Sequence, residues 1–302
     1  MTDTLMDRSP TELQPFDADI QPETLVPTGP RRRRPVLLTL CFAWLCIVVL
    51  SAVTADWLPI QDPNVDVGHG VRTAPFQVWA EPLGTDGLGR SELSRLIYGA
   101  RVSLFAALVA TCIALTAGLL VGITAGYFRG RVDSVLSVII DAVLAFPGLV
   151  LLLALTAVLQ PSIQTVIIGL SIFGWVGFAR LSRANTMQVA TSDYVTASRG
   201  LGAKSRTTLV REILPNVTST VITLAGLVVG GLILAEASLS FLGLGVRPPT
   251  PSWGSMIADA RTNLSDHPYL MFVPAIILFL TIFSVNFIGD WLRTRSDPAS
   301  KL

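Results

Sequence analysis

The 302-residue chain reads as an all-α polytopic membrane protein with six transmembrane helices, and three observations predict it. Hydrophobic residues make up 51% and charged residues 14%, and the mean hydropathy is +0.60, far too apolar for a soluble domain. Six apolar runs have about the 20 residues needed to cross a hydrocarbon core. Most basic residues collect between alternate pairs of those runs, the asymmetry expected of a multi-span protein.

Residues 1–35 are dominated by Asp, Glu, Pro, Ser and Thr without apolar periodicity, which predicts a disordered tail ending in the basic run Arg31–Arg34. The first span covers 36–56. Val53-Thr54-Ala55 could pass for the cleavage site of a secretory signal, but the apolar run is longer than a signal core of roughly 7 to 15 residues. The span is therefore read as retained. Residues 57–101 form an exported segment, first Pro- and Asp-rich loop, then helical from an N-cap at Ser91. In that helix Leu93, Leu96 and Ile97 share a face against Arg90, Glu92, Arg95 and Arg101, which predicts an amphipathic helix along the membrane surface or against other spans.

A core of five further spans occupies 102–291, near 102–127, 134–159, 164–181, 217–244 and 270–291. A polar loop, 182–216, interrupts it, and a short tail, 292–302, follows. Gly118, Gly122 and Gly126, and likewise Gly226, Gly230 and Gly231, are expected to let helices approach closely. In the third span Asp141 precedes Pro147. An acid with a kink can mark a transport path, and the plainer reading is a carboxylate near the cytoplasmic end that reaches water or Arg131.

If the spans alternate, Arg31–Arg34, Arg129, Arg131, Arg180, Arg183, Arg199, Lys204, Arg206, Arg211, Arg293, Arg295 and Lys301 all fall on one side. That side is cytoplasmic, and both termini lie there. The first connection dissents with Arg72, Arg90, Arg95 and Arg101. The net charge of +1 reflects segregated rather than abundant basic residues, which argues against nucleic-acid binding. Cys41, Cys46 and Cys112 all lie in apolar runs, and no Cys/His spacing predicts a metal. A membrane enzyme is not expected, because no nucleophile and base are assembled; His69 and His267 both fall in exported loops.

The segment Tyr194 to Asn216, YVTASRGLGAKSRTTLVREILPN, is charged, punctuated by Gly and flanked by apolar runs. Val195–Arg199 predicts a short helix, Gly202 a chain reversal at positive φ, Ser205–Leu214 a second helix, and Pro215 its close before the next span. The small-residue triplet, the Gly and the Leu-Pro resemble the "EAA" loop of binding-protein-dependent ABC importer permeases. Ala197, Gly202, Leu214 and Pro215 match that pattern; Thr196 stands where Glu is usual, Ser198 where Ala is, and Glu212 where Ile is common. The resemblance implies that Tyr194, Thr196, Ala197, Ser198, Gly202, Arg211, Glu212, Leu214 and Pro215 couple the chain to a cytoplasmic ATPase, with Arg211 and Glu212 available for charged contacts.

Two more blocks carry the same likeness. LGTDGLGRSELSRLIYGARVSL, Leu83–Leu104, is similar to the start of the permease core in the dipeptide/oligopeptide importers, particularly their "C" subunit, and AEASLSFLGLGVRPPTPSWG, Ala235–Gly254, resembles a later block. Within them Asp86, Arg90 and Trp253 are candidate exported-face contacts, Trp253 suiting the membrane interface. Glu236 and Ser240 belong to the translocation path or to helix packing: Glu236 is read as hydrogen-bonded between helices, with a peptide ammonium group as the alternative. Pro248, Pro249 and Pro251 are expected to stop the preceding helix.

The resemblance implies a type I ABC importer permease fold and a place in a bacterial cell membrane. It implies a second homologous permease, two ATPase subunits holding ATP and Mg, and a solute-binding protein delivering peptide; the chain itself carries no Walker A string. A permease for nickel or another small solute is the alternative within the family. A self-sufficient secondary transporter is the alternative from another class.

Overall fold

The computed structural model describes residues 35–296; the expected tails, residues 1–34 with Arg31–Arg34 and 297–302 with Lys301, lie outside them. The helices are α1 (Pro35–Val53), α2 (Glu92–Phe128), α3 (Gly130–Leu144), α4 (Gly148–Val158), α5 (Ile163–Val189), α6 (Asp193–Gly200), α7 (Ser205–Thr207), α8 (Leu214–Phe241), α9 (Trp253–Ala260) and α10 (Tyr269–Ser296). Among the described residues the only β pairing is isolated bridges in the exported segment. Five helical stretches are long and apolar enough to span a membrane, six if the bent pair α3–α4 counts as one span.

The pairing of α2 with α5 organises the core, and glycine spacing makes it possible. A Cβ on Gly118 would fall 2.4 Å from the Phe178 Cβ, one on Gly122 2.4 Å from the Ala179 oxygen, and one on Gly126 2.7 Å from the Arg183 oxygen. With period four these glycines form a smooth strip on which the α5 backbone rests. Ala106, Ala107, Ala110 and Ala114 continue the strip, all fully buried. Gly226 meets Gly289 and Gly230 meets Asn286 where α8 crosses α10, whereas a Cβ on Gly231 would meet nothing within 4 Å, so Gly231 is not part of that contact.

Four expectations change. The helix beginning at Ser91 is not a separate surface element but the start of α2, whose 37 residues extend about 55 Å, well beyond a hydrocarbon core of roughly 30 Å. Its expected faces are not kept apart, although Leu96 is buried as expected. Glu92 and Arg95 are buried while Leu93 and Ile97 are half-exposed, because the exported segment folds over the charged side and Arg95 donates to the Pro63 oxygen at 3.4 Å. The third span is broken rather than kinked: α3 and α4 meet at 80° across Ala145–Pro147, and Pro147 caps α4. The helix α8 is stopped not by the prolines but by Gly243 at φ +79°, in a Schellman turn where Leu244 N–H donates to the Leu239 oxygen at 3.0 Å and Gly243 N–H to the Ser240 oxygen at 3.1 Å.

Candidate functional site

The polar loop is shorter than expected, because α5 continues to Val189 and takes up residues 182–189. Beyond it, α6 ends in a second Schellman turn: Gly202 at φ +89° lets Ala203 N–H reach the Ser198 oxygen at 3.1 Å and Gly202 N–H the Arg199 oxygen at 2.9 Å. The chain then re-enters helix at Ser205 and runs helical to Phe241. Pro215 therefore does not close the loop. The six residues Thr208–Ile213 form a π turn, in which Leu214 N–H donates to the Leu209 oxygen five residues back. The widened turn falls just before Pro215, where the missing N–H and the ring are incompatible with ordinary helical register.

Three side-chain contacts hold α6 in place. The Ser198 hydroxyl donates to Glu212 Oε1 at 2.5 Å, and the Asn216 amide donates to the Tyr194 hydroxyl at 3.2 Å and to the Glu212 backbone oxygen at 2.6 Å. The Arg199 guanidinium lies 4.5 Å from the Tyr127 ring centroid, tying α6 to the end of α2. Beneath them Val195, Ile213 and Val217 are fully buried. The Glu212 side chain is thus turned inward, with Oε2 buried and unpartnered, and is a brace rather than a free charge. Ser198 and Glu212, both departures from the loop pattern, are each other's partners.

What faces solvent is a basic surface with an apolar tip. Thr196, Ala197, Arg199, Lys204, Arg206, Arg211, Leu214 and Pro215 are exposed, Tyr194 half so, and Leu201 is 91% exposed beside Gly202. Sequence reasoning passed over Leu201; the available signal was a large apolar residue immediately before the turn glycine of an otherwise polar loop.

The acids of the spans find partners that the sequence did not name. Asp141 Oδ1 accepts from Arg180 at 2.6 Å, not from Arg131, and the two side chains are 63% and 57% exposed. About two helical turns earlier on α3, Asp133 accepts from Arg183 Nε at 2.5 Å and Nη2 at 2.7 Å, a bidentate pair joining α3 to α5. Glu236 is fully buried; its Oε1 accepts from the Ser240 hydroxyl at 2.7 Å, the Ser103 and Ser252 hydroxyls lie against it, and Oε2 makes no bond of ordinary geometry. It lies between α2, α8 and the turn before α9.

On the exported face the candidate contacts are used within the chain. Asp86 accepts from the backbone N–H of Leu88 (2.8 Å) and Arg90 (2.9 Å) and from Arg90 Nε at 2.7 Å, with Arg95 Nε at 3.4 Å. Trp253 does not sit at the membrane interface. It is fully buried, its indole N–H donating to the Leu96 oxygen at 3.1 Å and its backbone N–H facing the Ser103 hydroxyl at 3.4 Å. Nearby, Asp56 accepts from Arg101 at 3.0 Å, and that guanidinium, with the Tyr98 hydroxyl, holds the exposed carboxyl below its usual range.

A bundle of this kind, with long apolar helices, one bent helix pair and one braced polar loop, defines a polytopic membrane protein. Residues 118–299 match the family described as binding-protein-dependent transport system inner membrane component, and the chain belongs to that family. It is 38% identical over 273 residues, 90% of this chain and 88% of that protein, to the glutathione transport system permease protein GsiD of Escherichia coli O6:K15:H31 (strain 536 / UPEC). GsiD of Pectobacterium atrosepticum is 37% identical over 219 residues, 72% of this chain and 73% of its own length. In fold the chain is similar to the inward-facing MetNI methionine ABC transporter, with TM-score 0.57 and 18% identity over 67% of this chain and 96% of that one. An amino acid ABC transporter solved with histidines gives TM-score 0.53 and 17% identity, over 67% and 94%. The protein is an ABC importer permease with the type I importer permease fold.

Proposed function

We propose that this chain is one of two homologous permeases in an ATP-driven importer of dipeptides, oligopeptides or a peptide-like thiol such as glutathione. The other components are two cytoplasmic ATPase subunits, which hold ATP and Mg, and an extracytoplasmic solute-binding protein. The observation that carries the reading is the loop from α6 through the π turn: an exposed surface carrying Arg199, Lys204, Arg206 and Arg211 and tipped by Leu201, with α6 braced to α2, the π turn and α8. A helix held that firmly transmits movement of a partner docked on it instead of absorbing that movement. The membrane orientation follows the basic residues, with α6 and both termini on the cytoplasmic side of a bacterial inner membrane.

The open Asp141–Arg180 pair supports the second permease. Charges this exposed on a span are unfavourable against lipid and suit a water-filled path or a protein neighbour. Relatives named for glutathione transport support peptide over nickel or another small solute, and family membership disfavours a self-sufficient transporter. The test is mild-detergent purification of the tagged chain from its native host, with mass spectrometry of what accompanies it. A second permease and Walker-motif ATPases are expected; recovery of the chain alone would overturn the reading. Uptake of labelled glutathione and dipeptides, lost on deleting the chain, then tests the substrate.

A further inference from the structure

We propose that a cavity at the exported end of this chain binds the ammonium or guanidinium group of a small organic cation, with the Glu92 carboxylate as its counter-ion. The cavity, of about 350 Å³, lies between the Asp86 turn, the first turns of α2, the Pro248–Pro249 turn, α9 and the start of α10. That size accommodates a compact solute. Glu92 lines it, is only 2% exposed, and its carboxylate makes no hydrogen bond or ion pair with any described residue.

The other charges of the cavity are already engaged. Asp86 takes up Arg90 and Arg95, and Arg95 also faces the largely exposed Asp259 at 3.8 Å, so Arg95 acts on Glu92 only at longer range. Three carboxyl groups face two guanidinium groups, and Glu92 is the one that no guanidinium pairs. A buried carboxyl without a partner keeps its proton, and a cation brought to it stabilises the ionised form, so that binding releases the proton and is stronger toward higher pH. An anion gains nothing there. A metal is not favoured either, since no group of three His, Cys, Asp or Glu among the described residues is placed to hold one. Pro248, Pro249, Met256 and Leu270 supply an apolar wall suited to an alkyl stem behind the charged head.

This site does not depend on the importer reading, because the isolated chain contains all of it. Agmatine, an alkyl guanidinium that also carries an amine, is titrated calorimetrically into the purified full-length chain in lipid nanodiscs, with butyramide as the neutral control. Saturable one-to-one binding of agmatine is expected, weakened roughly tenfold or more by Glu92→Gln, as loss of a charge-assisted contact requires. Asn263→Lys, which places an ammonium group at the cavity with Glu92 intact, should abolish binding. It also decides the matter if Glu92→Gln fails to insert. No saturable agmatine binding by the wild type, equal binding of butyramide, or undiminished binding by either variant overturns the proposal.

Discussion

The brace between Ser198 and Glu212 makes a quantitative prediction about α6. In Ser198→Ala the hydroxyl that reaches Glu212 Oε1 at 2.5 Å is lost, and the inward-turned carboxylate, whose Oε2 is already buried without a partner, is left with neither oxygen bonded to a side chain. A hydrogen bond to a charged group contributes about 1.5–3 kcal/mol, and stranding the charged partner costs toward the upper end. About 2 kcal/mol corresponds to a roughly thirtyfold rise in the fraction of time α6 is open. Glu212→Met should cost less, because a half-exposed Ser198 hydroxyl can turn to water. The double variant, lacking both polar groups, should recover most of the loss and give an interaction energy of about 1.5 kcal/mol in the double-mutant cycle. Hydrogen exchange of the α6 amides in nanodiscs measures the opening directly, and labelled-solute uptake reports its consequence for transport. Single effects that simply add, or α6 protection unchanged by Ser198→Ala, would refute the brace.

Three further outcomes follow from the geometry. Gly202→Pro should abolish solute uptake while leaving membrane insertion intact, because proline fixes φ near −65° and Gly202 sits at +89°; unchanged uptake in whole cells counts against the turn as a lever corner. Gly122→Leu should prevent α2 and α5 from closing, since even its Cβ falls 2.4 Å from the Ala179 oxygen and 2.6 Å from the Ser182 Cβ. Overpacking of this kind costs roughly 1–3 kcal/mol or more, read as loss of monodisperse protein on size exclusion. At the exported ends of α1 and α2, the Arg101 contact lowers the Asp56 pKa, so its stabilisation is present above the ordinary carboxylate range and is lost as pH falls through the lowered value. Thermal melts of wild type should show that loss on acidification, and Asp56→Asn should remove it.

The sequence by itself determined what depends on local pattern. Apolar run length gave six spans, and period-four glycines gave the face of α2 that meets α5, because a membrane leaves the backbone few alternatives to helix and small residues are what permit close approach. It also placed the reversal at Gly202, since few residues other than glycine adopt that φ, and the likeness of three blocks pointed to the family. Tertiary structure alone decided which partner each polar side chain takes. Nothing near Asp141 in the chain indicates Arg180, 39 residues away, and nothing near Trp253 indicates that its indole would reach Leu96, 157 residues back. Likewise Glu92 and Arg95 read as a solvent face until the exported segment is folded over them. Glu212 reads as a free charge until α6 brings Ser198 against it across 14 residues of chain. Helix is selected within a few turns by hydrogen bonds close in sequence, whereas the direction and charge environment of a side chain are set by whichever distant segment packs on it.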